Sequence, residues 1–371
     1  MRIAYDATAA ATQTAGVGRY ARELLRELVT LDPTDDFQLI CAASDADGGR
    51  LLQQLPPGAA RGLRRLPGGY RATTIAWQRL RLPIAIERLT GPFDVFHATD
   101  FVAPPSSRPI VTTVHDLSYL NVPHLGDERL VRYLSVAVPR TLARSERIIA
   151  VSATVAAEIA AEYPETRNRI VAIPNGVRLP AAQQSSSPAD RPTVLMVGTV
   201  EPRKNHLAAL EAMRLVRDRE SDAELVIVGR PGWRSDGIIE AIRAAEAEGW
   251  VRWLVSADDA ELAAAYGAAS LFLYPSWYEG FGLPVLEAMS FGVPVVAGDI
   301  PALREAADDA AWFANPADPA EIADRITTLL DGPAARDDLR TRGLARAGRY
   351  SWRDTAERTR RTYAQAKADA R

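Results

Sequence analysis

Glu279 and Glu287 flank a short glycine-rich loop, and the residues around them suit a ligand that is both charged and rich in hydroxyls. The run Tyr274-Pro275-Ser276-Trp277-Tyr278-Glu279-Gly280-Phe281-Gly282-Leu283-Pro284 begins where an apolar stretch, 270–274, stops. That stretch reads as a buried strand. Pro284 suits the first turn of a helix starting near Leu283, where a missing N–H is no loss. Gly280 and Gly282 let the backbone come close to a ligand, and the free N–H groups of a helix start attract anions. Leu283 and Glu287 are one helical turn apart and share a face. Carboxylates beside an anion-attracting helix start fit a molecule with hydroxyls and phosphates, which is the make-up of a nucleotide-sugar.

A second constellation is Gly198-Thr199-Val200-Glu201-Pro202-Arg203-Lys204-Asn205, which follows the apolar run Thr193–Val197 and opens a helix with Asn205 as the expected N-cap. Cations at the positive end of a helix are unfavourable by themselves, so an anion such as a diphosphate is expected there. Arginine grips phosphate oxygens as a fork and lysine acts as a mobile point charge. Lysine is otherwise almost absent, Lys367 being the only other one, which makes Lys204 stand out. His115-Asp116 closes the strand-like run Ile110–Val114, and His97 closes Asp94–His97. Gly16-Val17-Gly18-Arg19-Tyr20 opens a helix after the first strand, where α/β folds place phosphate and sugar loops.

Together these strings resemble the family-4 retaining glycosyltransferases of the GT-B fold. The resemblance implies two Rossmann-like, doubly wound α/β domains facing across a cleft. It implies transfer of a hexose, mannose first, from a nucleoside-diphosphate sugar to a glycan or lipid-linked acceptor hydroxyl, as in polysaccharide mannosyltransferases. By the same resemblance Arg203, Lys204, Gly16 and Gly18 would serve the diphosphate, with Arg19 a looser candidate. His115 and Glu279 would be the catalytic residues, His115 meeting the transferred sugar and Glu279 holding its hydroxyls. The N–H groups of Phe281, Gly282 and Leu283 would face sugar and phosphate, Glu287 the ribose, and the segment 254–259 the base. The leaving phosphate would take the acceptor's proton, with no cofactor beyond the donor. Neither His-x-x-x-His nor a cysteine cluster occurs, and no metal site is expected.

The elements that must hold these groups follow from the chain's periodicity. At 371 residues, with 47% apolar and 25% charged residues, it is long enough for two globular domains. A net charge of −3 argues against nucleic acid held by bulk charge. The single cysteine, Cys41, lies in an apolar run and reads as buried filler. No apolar run is long enough to span a bilayer and no signal-peptide pattern opens the chain, so the cytoplasm is the expected location. Strand-like runs 37–43, 94–97, 110–114, 147–151 and 169–174 alternate with helical patterns at 17–31, 75–89, 128–144 and 153–162, which predicts a parallel sheet covered by helices. Residues 1–178 form the first expected domain, 179–192 a Pro/Ser/Gln-rich linker, and 193–350 a second strand–helix series. The tail 351–371 is a helix expected to return to the first domain.

Arg61, Arg64, Arg65, Arg71, Arg79 and Arg81 surround Tyr70, Trp77, Leu80 and Leu82. This is either an ordinary basic surface or a face for anionic lipid at the inner membrane. On residues alone, a nucleotide-sugar epimerase or hydrolase on the same scaffold, or a non-catalytic nucleotide-sugar-binding subunit, stays open.

Overall fold

A computed structural model describes the chain except residues 14–15, 57–61, 67, 70–74, 81, 179–190, 220 and 371, and the side chains of Asp45, Gln78 and Arg79. Two compact units emerge: Met1–Leu117 with Arg132–Gly176 and Ser351–Arg371, and Ser118–Val131 with Val177–Tyr350.

The first unit is built on a parallel sheet of β1 (Arg2–Asp6), β2 (Asp36–Cys41), β3 (Leu63–Arg65), β4 (Val95–Ala98), β5 (Ile110–Val114), β6 (Arg147–Ala150) and β7 (Ile170–Ala172). Its order is β3-β2-β1-β4-β5-β6-β7, so the winding reverses between β1 and β4, with Tyr5 opposite His97. Every residue of β5 is buried, as expected of a central strand covered on both faces. Helix Val17–Leu31 packs against the C-terminal helix Trp352–Asp369. The second unit repeats the plan with β8 (Thr193–Val197), β9 (Glu224–Val228), β10 (Val251–Leu254), β11 (Leu271–Tyr274), β12 (Val295–Gly298) and β13 (Trp312–Ala314). Its order is β10-β9-β8-β11-β12-β13, again all parallel, and the reversal falls between β8 and β11. In open α/β sheets such a reversal opens a crevice at the carboxyl ends of the strands, where ligands bind.

Two expectations read differently here. The helical pattern over 75–89 is broken into a short π-helix, Ile75–Arg79, and a turn of α-helix, Glu87–Thr90. Pro83 biases Leu82 away from helical backbone, and the carbonyl of Ile84 is used by the Trp77 indole N–H at 2.9 Å. Residues 118–131, which the sequence groups with the first domain, pack within the second unit. There Leu125 O accepts from the Trp233 indole at 3.0 Å, His124 O accepts from Arg234, and Asn121 donates to the Tyr278 hydroxyl at 3.2 Å. The linker lies outside the described residues apart from Arg191 and Pro192, and so do Arg61, Tyr70, Arg71 and Arg81 of the basic patch; Arg64, Arg65, Leu80 and Leu82 are exposed.

Candidate functional site

In the second unit the loops after β8 and β11 leave adjacent strands at the reversal point and meet. The turn Pro202–Lys204 is a single 3-10 turn closed by Asn205 in the left-handed region, at φ +60°. Asn205 does not cap the following helix with its side chain, contrary to expectation. Its amide instead donates to Pro275 O at 3.1 Å and Pro316 O at 2.7 Å, stitching this loop to two others. Trp277 N–H donates to Arg203 O at 2.9 Å, which joins the β11 loop to the same turn.

Those stitches set Arg203, Lys204 and Glu279 in direct contact. Lys204 Nζ lies 2.5 Å from Glu279 Oε1 and 2.5 Å from the Tyr274 hydroxyl. Arg203 reaches Glu279 Oε2 at 3.1 Å and Glu201 Oε1 at 2.7 Å, and donates to Tyr278 O at 2.9 Å. Burial alone would raise the Glu279 carboxyl, but the Lys204 and Arg203 charges override it and hold it at about 2. Burial pulls Lys204 below the usual ammonium range although Glu279 opposes the shift, and burial raises the carboxyl of Glu201 against the pull of Arg203. Tyr274 and Glu201 carry no signal of their own in the sequence, although both stand inside the quoted strings.

Gly282 has φ +95° and precedes helix Leu283–Ser290, with Pro284 in its first turn. A left-handed residue there needs glycine. Phe281 is buried with its ring edge-on to Tyr350 at 5.7 Å, so its side chain is packing and only its backbone is left for a ligand. Glu287 is buried and accepts from the Tyr266 hydroxyl at 3.1 Å, while Tyr266 stacks on Phe291 at 5.4 Å. In the segment 254–259, Asp258 caps helix Asp259–Ala268 by accepting from the N–H groups of Ala260 and Glu261.

The remaining candidates stand in the first unit, Gly16 and Gly18 after β1 at the reversal point and His115 after β5, one strand beyond β4. His115 follows β5; its Nε2 is 2.8 Å from Thr99 O, and its ring meets Tyr20 edge-on at 4.8 Å and Phe101 at 5.6 Å. A carbonyl partner fixes the proton on Nε2 and leaves Nδ1 as the acceptor side of the neutral ring. Burial lowers its pKa, with Thr99 and Asp116 opposing. Gly16 and Gly18 start the helix that carries Tyr20, and a Cβ at Gly18 would stand 2.1 Å from Gln13 O. His97 is no ligand group: it is fully buried between the Tyr363 hydroxyl at 2.7 Å and Thr113 Oγ1 at 2.8 Å. Asp100, unmarked by any motif, is pushed up to about 7 by burial, with the Asp6 and Asp116 charges adding. Among the described residues no group of three or more His, Cys, Asp or Glu is arranged to hold a metal ion. The one Asp-x-Asp string, 45–47, starts a helix whose cap is Ser44. No described helix is long and apolar enough to cross a membrane.

Residues 178–346 match the family described as glycosyl transferases group 1, and residues 14–179 match Glycosyltransferase Family 4. O-antigen chain mannosyltransferase B of Escherichia coli is 31% identical over 364 residues, spanning 94% of this chain and 95% of that one. D-inositol 3-phosphate glycosyltransferase of Kineococcus radiotolerans is 29% identical over 291 residues, 70% of this chain and 67% of its own. Among solved structures, sucrose-phosphate synthase from Thermosynechococcus elongatus superposes with a TM-score of 0.76 at 21% identity, over 100% of both chains. HepE from Anabaena, in complex with UDP and glucose, does so with 0.76 at 18% identity, over 98% and 99% of the two chains. At these identities the two structures speak to the fold.

Proposed function

This chain belongs to the family-4 glycosyltransferases of the GT-B fold, and from that premise we propose that it moves mannose from a nucleoside-diphosphate sugar to a hydroxyl of a glycan or lipid-linked acceptor, with retention at the anomeric carbon. The observation that carries the reading is the contact of Arg203 and Lys204 with Glu279 where the β8 and β11 loops meet. Two cations able to take phosphate oxygens, beside a carboxylate able to take hydroxyl protons, match the two halves of a sugar diphosphate. The near full-length likeness to O-antigen chain mannosyltransferase B favours mannose, and GDP-mannose is the donor to try first.

In the proposed reaction the bond from the anomeric carbon to the diphosphate oxygen breaks and its electron pair leaves with the diphosphate, towards Arg203 and Lys204. The acceptor oxygen bonds to the anomeric carbon on the same face, and its proton passes to the leaving phosphate. Glu279 binds sugar hydroxyls and is not a nucleophile: both its oxygens face cations, at 2.5 and 3.1 Å, and a carboxyl held at about 2 is weakly basic. The N–H groups of Phe281, Gly282 and Leu283 face sugar and phosphate, Glu287 takes the ribose, and His115 offers Nδ1 to a sugar hydroxyl.

Incubating the purified chain with nucleotide-sugars and acceptor glycans tests this. Transfer should need the acceptor, survive EDTA, and give an α-linked product from an α-linked donor by NMR. Lys204→Ala should cut diphosphate affinity tenfold or more, since a charge-assisted bond of about 1.5–3 kcal/mol is lost, and leave free nucleoside affinity unchanged. Sugar released or epimerised without acceptor would favour a hydrolase or epimerase, and an inverted product would overturn retention.

A further inference from the structure

The four charged groups at the diphosphate subsite sum to zero. Arg203 and Lys204 are each already paired with a carboxylate: Lys204 with Glu279 at 2.5 Å, and Arg203 with Glu279 at 3.1 Å and Glu201 at 2.7 Å. All four side chains are largely shielded from water, Arg203 being the most exposed at 14%. A diphosphate brought to this site therefore competes with carboxylates already in place.

We propose that Glu279 is a built-in counter-anion for the diphosphate subsite, yielding Lys204 and Arg203 to an incoming diphosphate and re-pairing with them as the product leaves. The proposal rests on the donor-site reading above and deepens it. A displaced Glu279 is a buried carboxylate that has lost its cations, which is costly unless other donors replace them. The hydroxyls of a transferable sugar are such donors. A nucleotide-sugar thus supplies both halves of the exchange: phosphate oxygens for the cations and hydroxyls for Glu279. A nucleoside diphosphate supplies only the first half. Discrimination between donor and spent product then follows from one carboxylate, and so does a route to product release. The Tyr274 hydroxyl, also 2.5 Å from Nζ, keeps Lys204 in position while Glu279 lets go.

The test uses the product alone, so that lost sugar contacts do not enter. Calorimetric titration of GDP, UDP, ADP and dTDP, and of the matching nucleosides, compares the wild-type chain with Glu279→Gln, Glu279→Asp, Glu201→Gln and Lys204→Ala. Glu279→Gln should bind the preferred nucleoside diphosphate about tenfold tighter, some 1.4 kcal/mol, with nucleoside affinity unchanged and slower dissociation by stopped flow. Glu279→Asp keeps the charge but draws it back from both cations, so its diphosphate affinity should fall between wild type and Glu279→Gln, because Coulomb attraction weakens with distance. Equal or weaker diphosphate binding by Glu279→Gln overturns the proposal. Should that variant fail to fold by circular dichroism, Glu201→Gln removes one negative charge from the other side of Arg203, and an absence of tightening there overturns it instead. Loss of binding in Lys204→Ala without gain in the glutamine variants sinks this inference alone. Wild-type and Lys204→Ala chains that bind every diphosphate alike take the donor-site reading down with it.

Discussion

His97 and His206 are held neutral by burial, at about 3 and about 4, the first with help from the nearby His115 and the second from the Lys204 charge. In the unfolded chain each takes a proton below about pH 6.5. Both folded-state values are depressed, so the stability they lend is complete above pH 6.5 and drains away as the pH falls towards 4 and then 3. Wild-type stability should therefore decline on acidification below pH 6.5, offset in part by Asp100, whose raised carboxyl takes its proton in the fold over the same window and so works with the opposite sign. His97→Gln should start less stable, having lost a fitted ring, but its decline between pH 6 and 4 should be shallower by up to about 1.4 kcal/mol per pH unit. Urea unfolding at several pH values measures that slope; parallel slopes in wild type and variant would mean His97 is protonated in the fold. Glu279 obeys the same sign rule in a lower window: depressed to about 2, it contributes fully above the ordinary glutamate value and fails only in strong acid.

Helix Leu283–Ser290 is aimed by one residue before it. Gly282 sits at φ +95°, and a Cβ there would stand 2.5 Å from Leu303 Cδ2, in a side chain that is fully buried. Gly282→Ala should cost about 1–3 kcal/mol through overpacking and weaken nucleoside diphosphate binding as the helix start shifts; an unchanged melting temperature with unchanged affinity would show that the loop absorbs a methyl freely. The sequence announces this element through Pro284 and the glycines, just as it announces β5 and β8, whose bounds coincide with the apolar runs Ile110–Val114 and Thr193–Val197, and β11, Leu271–Tyr274, which starts one residue inside the apolar stretch 270–274. Strands buried on both faces are continuous apolar runs and so are easy to read. Asn205 was harder: it has the composition of a cap, but its partners lie 70 and 111 residues away. The pairing of Glu279 with Lys204 is hidden for the same reason, since it depends on β8 lying beside β11, and strand order is not written in periodicity. The pattern over 75–89 misleads because helical spacing survives across Pro83 although helical backbone does not.

The first unit is assembled from three stretches, the last of which follows the second unit in the chain. Helix Trp352–Asp369 closes it with specific contacts: Tyr363 on His97 at 2.7 Å, Arg360 on Asp32 and Asp35, and Lys367 on Asp94 at 3.1 Å. Trp352 and Tyr363 are buried there as well. During synthesis the first sheet therefore waits for helix Trp352–Asp369 before its core is complete, whereas the second unit is finished by Tyr350. The consequence can be read unit by unit. Tyr363→Phe leaves one nitrogen of a buried imidazole without its partner, at a cost of about 1–3 kcal/mol. In scanning calorimetry one transition should fall, by about 2–4 °C for each kcal/mol lost. Saturating nucleoside diphosphate should raise the other transition, since Arg203, Lys204, Glu279 and Glu287 all belong to the second unit. A variant that lowered the same transition the nucleotide raises would assign the C-terminal helix's contribution to the wrong unit, and a single transition answering to both would mean that the two units unfold as one.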